Sequence, residues 1–280
     1  MLSYRHGYHA GNHADVLKHM TLCLLLRALE MKDKPYCVID THAGGGVYSE
    51  NSVFAQKNRE YSTGILKIER SSKLRSLVPE YYKALDLLRQ KDPRAIPGSP
   101  WFEQSLTRDC DRITLIDLHP AEITSLKDLF HRDHRINVQK RDAMEAMNAL
   151  LPPTPRRGLC FIDPSYEEKG DYELLVKTLK KATAKWSTGI YAVWYPVLGR
   201  MIDHSKNLTQ DLKRLDYPML QAELRVSEQD EEIGMCGSGM LVLNYPYALT
   251  SPLKAVTAEL GRELGGKSGD TAFRILNPRE

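Results

Sequence analysis

Leu159-Cys160-Phe161-Ile162 is an apolar run with the length of a buried strand, and it stops in Asp163-Pro164-Ser165-Tyr166-Glu167. A carboxylate followed by a proline carbonyl sets two hydrogen-bond acceptors side by side at a strand end. Such a pair can hold both hydrogens of an exocyclic amine. The amine of a nucleobase is a poor nucleophile because its lone pair is delocalised into the ring. Acceptors that hold its hydrogens favour the pyramidal nitrogen that can attack a sulfonium methyl. Asp163 supplies one acceptor and the Pro164 carbonyl the other, proline stiffens the turn, and Tyr166 can stack on a base that has left its helix. Asp-Pro-Ser is also an ordinary β-turn after a buried strand, and the other motifs decide between the two.

A second turn of this kind lies earlier, where Tyr36-Cys37-Val38-Ile39-Asp40 runs straight into Thr41-His42-Ala43-Gly44-Gly45-Gly46. Three successive glycines suit a tight turn whose backbone approaches a ligand with no Cβ in the way. The spacing differs from the Gly-x-Gly-x-x-Gly of nicotinamide enzymes. It is closer to the Asp-x-x-x-Gly-x-Gly turn of Rossmann-like methyltransferases, in which the strand-end acid, here Asp40, helps to anchor the methionine moiety.

Two further segments imitate functional motifs. Asn244-Tyr245-Pro246-Tyr247 also follows an apolar strand, but it belongs to the last strands, whereas the ligand crevice of such a sheet lies near the first strands and the switch point. Gly261 to Ser268 has the spacing of a phosphate-binding loop, yet a helical pattern precedes it where a strand is required. Neither is expected to do chemistry. His6, His9, His13 and His19 crowd the N-terminus, but Gly7 and Gly11 interrupt any helix that could align them and no cysteine or tight carboxylate cluster completes a site, so no metal is expected.

The elements that must position these residues alternate from Tyr36 onward in the manner of an α/β fold with a mainly parallel sheet. Strands are expected at Tyr36–Asp40, Arg112–Asp117, Ile136–Lys140, Gly158–Asp163, Gly189–Tyr195, Met219–Val226 and Met240–Asn244. Helical patterns fill 120–130, 142–150, 171–185, 197–215 and 252–264. Residues 50–95 break the alternation: they are polar, rich in Lys and Arg, and carry one long helical pattern from Ser72 to Lys91. This stretch reads as a helical insertion after the first strand, a lid or RNA-contacting subdomain, with the methyltransferase-like domain formed by 1–49 and 96–280. The last dozen residues read as a tail.

With 280 residues, 42% hydrophobic and 27% charged, the chain can bury a large core, which excludes disordered and collagen-like classes. A net charge of +3 permits a polyanionic partner without demanding one. The longest apolar run near the N-terminus, Leu22 to Leu26, is too short to span a bilayer and wrongly flanked for a signal peptide, so a cytoplasmic protein with no membrane partner is expected. Five scattered cysteines without Cys-x-x-Cys spacing read as reduced thiols, mostly buried, and the sequon at Asn207 carries no meaning without secretion.

Taken in order, the string from Tyr4 to His19 (Tyr-Arg-His-Gly-Tyr-His-Ala-Gly-Asn-His-Ala-Asp-Val-Leu-Lys-His), the glycine turn, Pro97-Gly98-Ser99-Pro100 and Asp163-Pro164-Ser165-Tyr166-Glu167 resemble the RlmJ family of 23S ribosomal RNA adenine-N6 methyltransferases. The resemblance covers essentially the whole chain, and the N-terminal string is its most specific part. It implies a Rossmann-like domain with a helical insertion, S-adenosylmethionine as cofactor and 23S ribosomal RNA as partner. It further implies that His19 and His42 contact the methionine end of the cofactor, with Ser99 in the same pocket. Asp117 would hold the ribose hydroxyls, and Asp142 and Ala143 would border the adenine. Asp163 would touch the cofactor and act as the catalytic acceptor, with Pro164 and Tyr166 beside it, and Tyr4 would contact the target nucleotide. The N-terminal segment would fold over the bound cofactor.

Two departures stand out. The family's Asp-Pro-Pro-Tyr is here Asp-Pro-Ser-Tyr, which leaves the acceptors intact on a less rigid loop. The acidic ribose partner, which falls about 20 residues after the glycine turn in dinucleotide folds, is delayed to Asp117. Glu69 is nearer that spacing but sits in a polar helical stretch, so the insertion explains the delay. A monomer that transfers the methyl directly, with no covalent enzyme intermediate and no metal, is expected. Cytosine N4 and guanine N2 methyltransferases use similar motifs, and a catalytically dead RNA-binding methyltransferase fold or a nicotinamide oxidoreductase are the rivals from other classes.

Overall fold

The apolar runs between turn signals form the strands of a single large sheet in a computed structural model, which describes residues 5–168, 170–230, 234–266 and 268–278. Helix α1 (His13–Glu30) precedes β1 (Cys37–Asp40). A short strand β2 (Val47–Ser49) leads into helices α2 (Val53–Asn58), α3 (Ile65–Ile68), α4 (Ser72–Leu77) and α5 (Pro79–Lys91), and β3 (Ala95–Pro97) returns from them. The chain then alternates: α6 (Ser99–Leu106), β4 (Arg112–Asp117), α7 (Pro120–Phe130), β5 (Ile136–Lys140), α8 (Ala143–Leu150), β6 (Gly158–Ile162), α9 (Gly170–Lys185) and β7 (Ile190–Leu198). It closes with α10 (Ser205–Lys213), β8 (Met219–Arg225), β9 (Met235–Leu243), α11 (Thr250–Leu264) and β10 (Asp270–Asn277).

Eight strands form the sheet in the order β10-β8-β9-β7-β6-β1-β4-β5, with β5, β4, β1, β6 and β7 mutually parallel and β9 and β10 running against their neighbours. This is the expected Rossmann-like methyltransferase fold with a mainly parallel sheet. Alternate residues of each central strand enter opposite layers, as a sheet covered on both faces requires. Val38, Leu159 and Phe161 join the core under α1, α5 and α11, whereas Ile39, Cys160 and Ile162 join the one under α8, α9 and α10. A third, smaller cluster seats α7 on β4.

Helix α1 is buried nearly all round, which explains the run Leu22 to Leu26 as core. Among the described residues no helix is long and apolar enough to cross a membrane. The five cysteines are free, and all but Cys110 are buried. The antiparallel pair β2–β3 brings the two ends of the insertion together, and the buried Tyr61, Ile65, Ile68, Leu74, Tyr81 and Leu85 of 50–95 are continuous with the core of α1 and α11. Most of its lysines and arginines lie on its exposed side, whereas Arg89 is largely buried in pairs with Glu50 and Glu69.

Three expectations need correction. The long helix from Ser72 to Lys91 is two helices, α4 and α5, because Pro79 lacks an N–H and drives Val78 out of the helical region (φ −132°, ψ 65°). The supposed tail is an edge strand: β10 pairs antiparallel with β8, and Arg225 binds Asp270 at 2.6 Å. Helix α10 starts at Ser205, later than expected, because β7 runs on to Leu198 against a β9 that begins at Met235.

Candidate active site

Strand β1 lies between β4 and β6, so the chain leaves it towards opposite halves of the sheet, and the crevice at the carboxyl ends of these strands is where such folds bind ligands. A cavity of about 320 Å³ opens there. His19, His42, Ser99, Asp117, Asp142, Ala143, Asp163 and Pro164 all line it. Residues drawn from α1, the glycine turn, α6 and three strand ends therefore meet at one place.

The glycine turn forms one wall. Gly44 has φ +60°, and a Cβ there would lie 2.3 Å from the Tyr48 hydroxyl; a Cβ on Gly45 would lie 2.5 Å from Glu122 Oε2. The positive φ favours glycine at position 44, whereas at 45 the nearest atom is the movable end of the Glu122 side chain. Asp40 acts from behind this wall. It is fully buried, accepts the Ser99 hydroxyl at 2.6 Å and the His42 backbone N–H at 3.1 Å, and is not among the residues that line the cavity. The direct anchoring role expected of the strand-end acid is replaced by a positioning one.

Beside the turn, Asp117 at the end of β4 accepts the Gly44 N–H at 2.9 Å and the His119 N–H at 2.7 Å. Each carboxylate oxygen keeps a lone pair for a ligand hydroxyl. Glu69, the rival by spacing, is ion-paired to Arg89 at 3.1 Å on the insertion and does not line the cavity. Asp142 caps α8 by accepting the Glu145 N–H at 2.9 Å, which sets Ala143 as the first residue of that helix.

Asp163 follows the last residue of β6, and its Oδ2 is hydrogen-bonded and ion-paired to Lys18 of α1. Lys18 also binds Asp15 Oδ1 at 2.8 Å, and Asp15 Oδ2 takes His6 Nε2 at 3.0 Å and the Gly11 N–H at 2.8 Å. A relay of His6, Asp15 and Lys18 therefore backs the Asp163-Pro164 turn. Among the described residues, neither Asp163 Oδ1 nor the Pro164 carbonyl accepts a hydrogen bond. Sequence reasoning missed Lys18 and His6. The available signal was a lysine inside the apolar stretch Val16 to Met20, three residues after an aspartate.

Tyr166 does not line the cavity. It has φ +52°, its hydroxyl donates to the Trp194 carbonyl at 2.7 Å, and its ring stacks on Tyr172 with centroids 4.3 Å apart. The expected platform for an extruded base is therefore not formed by Tyr166 in this conformation, because the ring is packed between β7 and α9. Tyr4 lies outside the described residues. Asn244 uses its side chain to hold the Ser187 and Gly189 carbonyls at 2.7 and 2.9 Å, at the end of the sheet opposite Asp163. Gly261 lies within α11, so the segment with phosphate-loop spacing begins inside a helix. Three of the four N-terminal histidines are separately placed, His6 with Asp15, His9 with Glu60 at 2.9 Å and His19 at the cavity, and the buried Nε2 of His13 has no hydrogen-bond partner among the described residues.

Burial governs the electrostatics. It pushes the His19 imidazole down to about 3 and that of His42 down to about 4, so both rings are neutral at physiological pH. Burial raises Asp163 while Lys18 opposes the rise. Asp40 and Glu103 are also raised by burial, Asp40 further by the charge of Asp163 and Glu103 further by that of Asp40; Glu103, on α6 one turn beyond Ser99, has both oxygens buried without a hydrogen bond.

These residues fit S-adenosylmethionine. The glycine turn permits close backbone approach, Asp117 can accept the ribose hydroxyls, and Ala143 is small where the adenine would lie. Neutral imidazoles flank the region that would hold a cationic sulfur, with carboxylates in the same cavity to balance its charge. When bound, the cofactor supplies an electrophilic methyl on a positively charged sulfur.

The sequence model of the family described as "Ribosomal RNA large subunit methyltransferase D, RlmJ" matches residues 33–275. Ribosomal RNA large subunit methyltransferase J of Escherichia coli (strain K12) is 40% identical over 266 residues, covering 94% of each chain. The protein of the same name from Haemophilus influenzae is 38% identical over 267 residues, again covering 94% of each. The crystal structure of protein LPL1258 from Legionella pneumophila superposes with a TM-score of 0.86 at 34% identity, covering 95% of this chain and 98% of that one. By sequence along nearly its whole length and by fold, the chain belongs to the RlmJ family of ribosomal RNA large subunit methyltransferases.

Proposed function

We propose that this protein transfers a methyl group from S-adenosylmethionine to the N6 amino group of an adenine in 23S ribosomal RNA. The observation that carries the reading is the pair of unengaged acceptors, Asp163 Oδ1 and the Pro164 carbonyl, on the wall of a cavity whose other residues suit the cofactor. His19, His42 and Ser99 would hold the methionine end, Asp117 the ribose, and Asp142 and Ala143 the adenine. The target base, extruded from its helix at a cost of a few kcal/mol, places its amino group between the two acceptors. Lys18 fixes the Asp163 carboxylate through Oδ2 and leaves Oδ1 for the amine. Burial makes that carboxylate a better base than a solvated one, so Oδ1 can take the proton that the nitrogen sheds.

The barrier is lowered by positioning and by these fixed dipoles, with direct transfer and no covalent enzyme intermediate. The insertion 50–95 and the N-terminal segment contribute RNA contacts. Mass spectrometry of nucleosides from ribosomal RNA of cells with and without the protein tests the reading. Loss of N6-methyladenosine supports it; loss of N4-methylcytidine or N2-methylguanosine instead would reassign the target, and no change in any of them would remove it.

A further inference from the structure

The N-terminal turn His6–Tyr8 packs directly on the insertion, and the contact is built from alternating aromatic rings and cations. Phe54 of α2 meets Tyr8 edge to face with centroids 5.0 Å apart. Arg5 lies over Phe54 with its guanidinium carbon 5.1 Å from the ring centre, and Lys57 of α2 lies over Tyr8 at 5.4 Å. A Cβ on Gly7 would meet Phe54 at 3.4 Å, an ordinary van der Waals distance, so the turn lies directly against that side chain. The assembly is held in place from behind: Glu60 takes His9 and Asn12 at 2.9 Å each, and the Gly11 carbonyl accepts the Ile65 N–H at 2.8 Å. Arg5, Lys57 and neighbouring Arg59 are exposed, Tyr8 and Phe54 are half-exposed, and Val53 beside them is 85% exposed.

We infer that Arg5, Phe54, Tyr8 and Lys57 form a contact surface for the RNA strand next to the target base, on which flanking nucleotides stack and their phosphates are neutralised. Aromatic rings interleaved with cations are the pattern by which proteins hold single-stranded RNA without reading its sequence, since every base has a face that stacks and every linkage a charge. The surface adjoins the cavity. His6, one residue from Arg5 and two from Tyr8, lines the cavity and meets Tyr48 at 5.3 Å. Two residues span at most ~7 Å, about the length of two stacked nucleotides at ~3.4 Å each. This deepens the proposed function and rests on it only for the identity of the strand.

The test uses the full chain and a fluorescein-labelled single-stranded RNA dodecamer of mixed sequence, read by anisotropy, with ribosomal RNA as the methyl acceptor. Phe54→Ala and Lys57→Gln should each weaken dodecamer binding by about tenfold and raise KM for ribosomal RNA, with kcat and cofactor affinity unchanged, and Phe54→Trp should restore binding. Lys57→Gln should also reduce the slope of log K against log salt by about 0.7. Binding within twofold of the parent in both variants overturns the inference. If Phe54→Ala loosens the fold, as a fall in cofactor affinity would reveal, the salt slope of Lys57→Gln decides alone, and an unchanged slope overturns it. A parent protein that methylates no ribosomal RNA while the variants still lose dodecamer binding would instead remove the proposed function and leave this surface standing.

Discussion

Lys18 of α1 is bonded to Oδ2 of Asp163, 145 residues further along the chain, and is itself held by Asp15 on the preceding turn of its helix. The carboxylate of the methyltransferase motif is thus oriented by the helix that precedes the first strand. That cation also opposes the upward drift that burial imposes on Asp163.

Removing the cation should therefore show in the pH profile. In Lys18→Met the Asp163 carboxyl loses its main stabilising charge and rises further above the ordinary carboxylate range. The reaction needs the carboxylate, so activity disappears as pH falls through the folded value. The acid limb of kcat should move to higher pH than in the parent, with about a hundredfold loss at neutral pH that alkaline pH partly recovers. A uniform loss at all pH values would mean that Lys18 acts on something other than Asp163.

Asp163→Ala should fold but lose at least about a hundredfold in turnover, equivalent to about 2.7 kcal/mol of barrier. Asn244→Ala should keep its methyl transfer and lose stability instead, because the side chain that holds two carbonyls is gone. Single-turnover assays beside thermal melts separate the two effects. Loss of chemistry in Asn244→Ala with retention in Asp163→Ala would place the reaction at the other motif.

The strand-end motifs were legible because they are local. An apolar run ending in Asp-Pro, or in a glycine turn, marks the carboxyl edge of the sheet whatever the rest of the chain does. Asp117, Asp142 and Ala143 came from the family resemblance, with the alternation of elements favouring Asp117 over Glu69. The lysine inside an apolar stretch marked Lys18 as unusual, but its partner Asp163 and the link from His6 through Asp15 are tertiary contacts that no short-range pattern encodes. Tyr166 misled for a related reason: its type suits a base platform, but the tertiary contacts with Tyr172 and Trp194 determine where the ring points. The break between α4 and α5 was readable at Pro79. The strand β10 was obscured because an edge strand needs only one apolar face, and here it alternates weakly.

Buried Glu103 and Asp40 should make the fold less stable as pH rises. Both carboxyls are raised above their ordinary values by burial, so between the unfolded value, near 4.5 for Glu103, and the higher folded one the native state holds protons that the unfolded chain has released. Their contribution is fully present below that window and is lost as pH climbs through it, at about 1.4 kcal/mol per pH unit for each retained proton. Glu103→Gln removes one such group, and its stability should fall less steeply from pH 5 to 8 than that of the parent. Denaturant titrations across that range check the slope. Parallel curves would show that Glu103 is ionised in the native state.

Asp117 and Glu69 were the two acids that competed for the cofactor ribose, and only Asp117 lies in the cavity, bonded to the glycine turn through Gly44. Asp117→Asn keeps one acceptor oxygen but removes the charge and leaves the Gly44 and His119 N–H groups competing for it. Hydrogen bonds to a charged partner contribute about 1.5–3 kcal/mol, so S-adenosylmethionine affinity should fall at least about tenfold, with kcat at saturating cofactor little changed because the proposed acceptors Asp163 and Pro164 lie after β6. Glu69→Gln should bind cofactor as the parent does and lose only its surface pair with Arg89. Calorimetry on the two variants, with melting temperatures as a control for folding, distinguishes them. Should Asp117→Asn stay folded and bind within twofold of the parent, the ribose is held by another group on the cavity wall, and the delay imposed by the insertion no longer explains where the acidic partner falls in this chain.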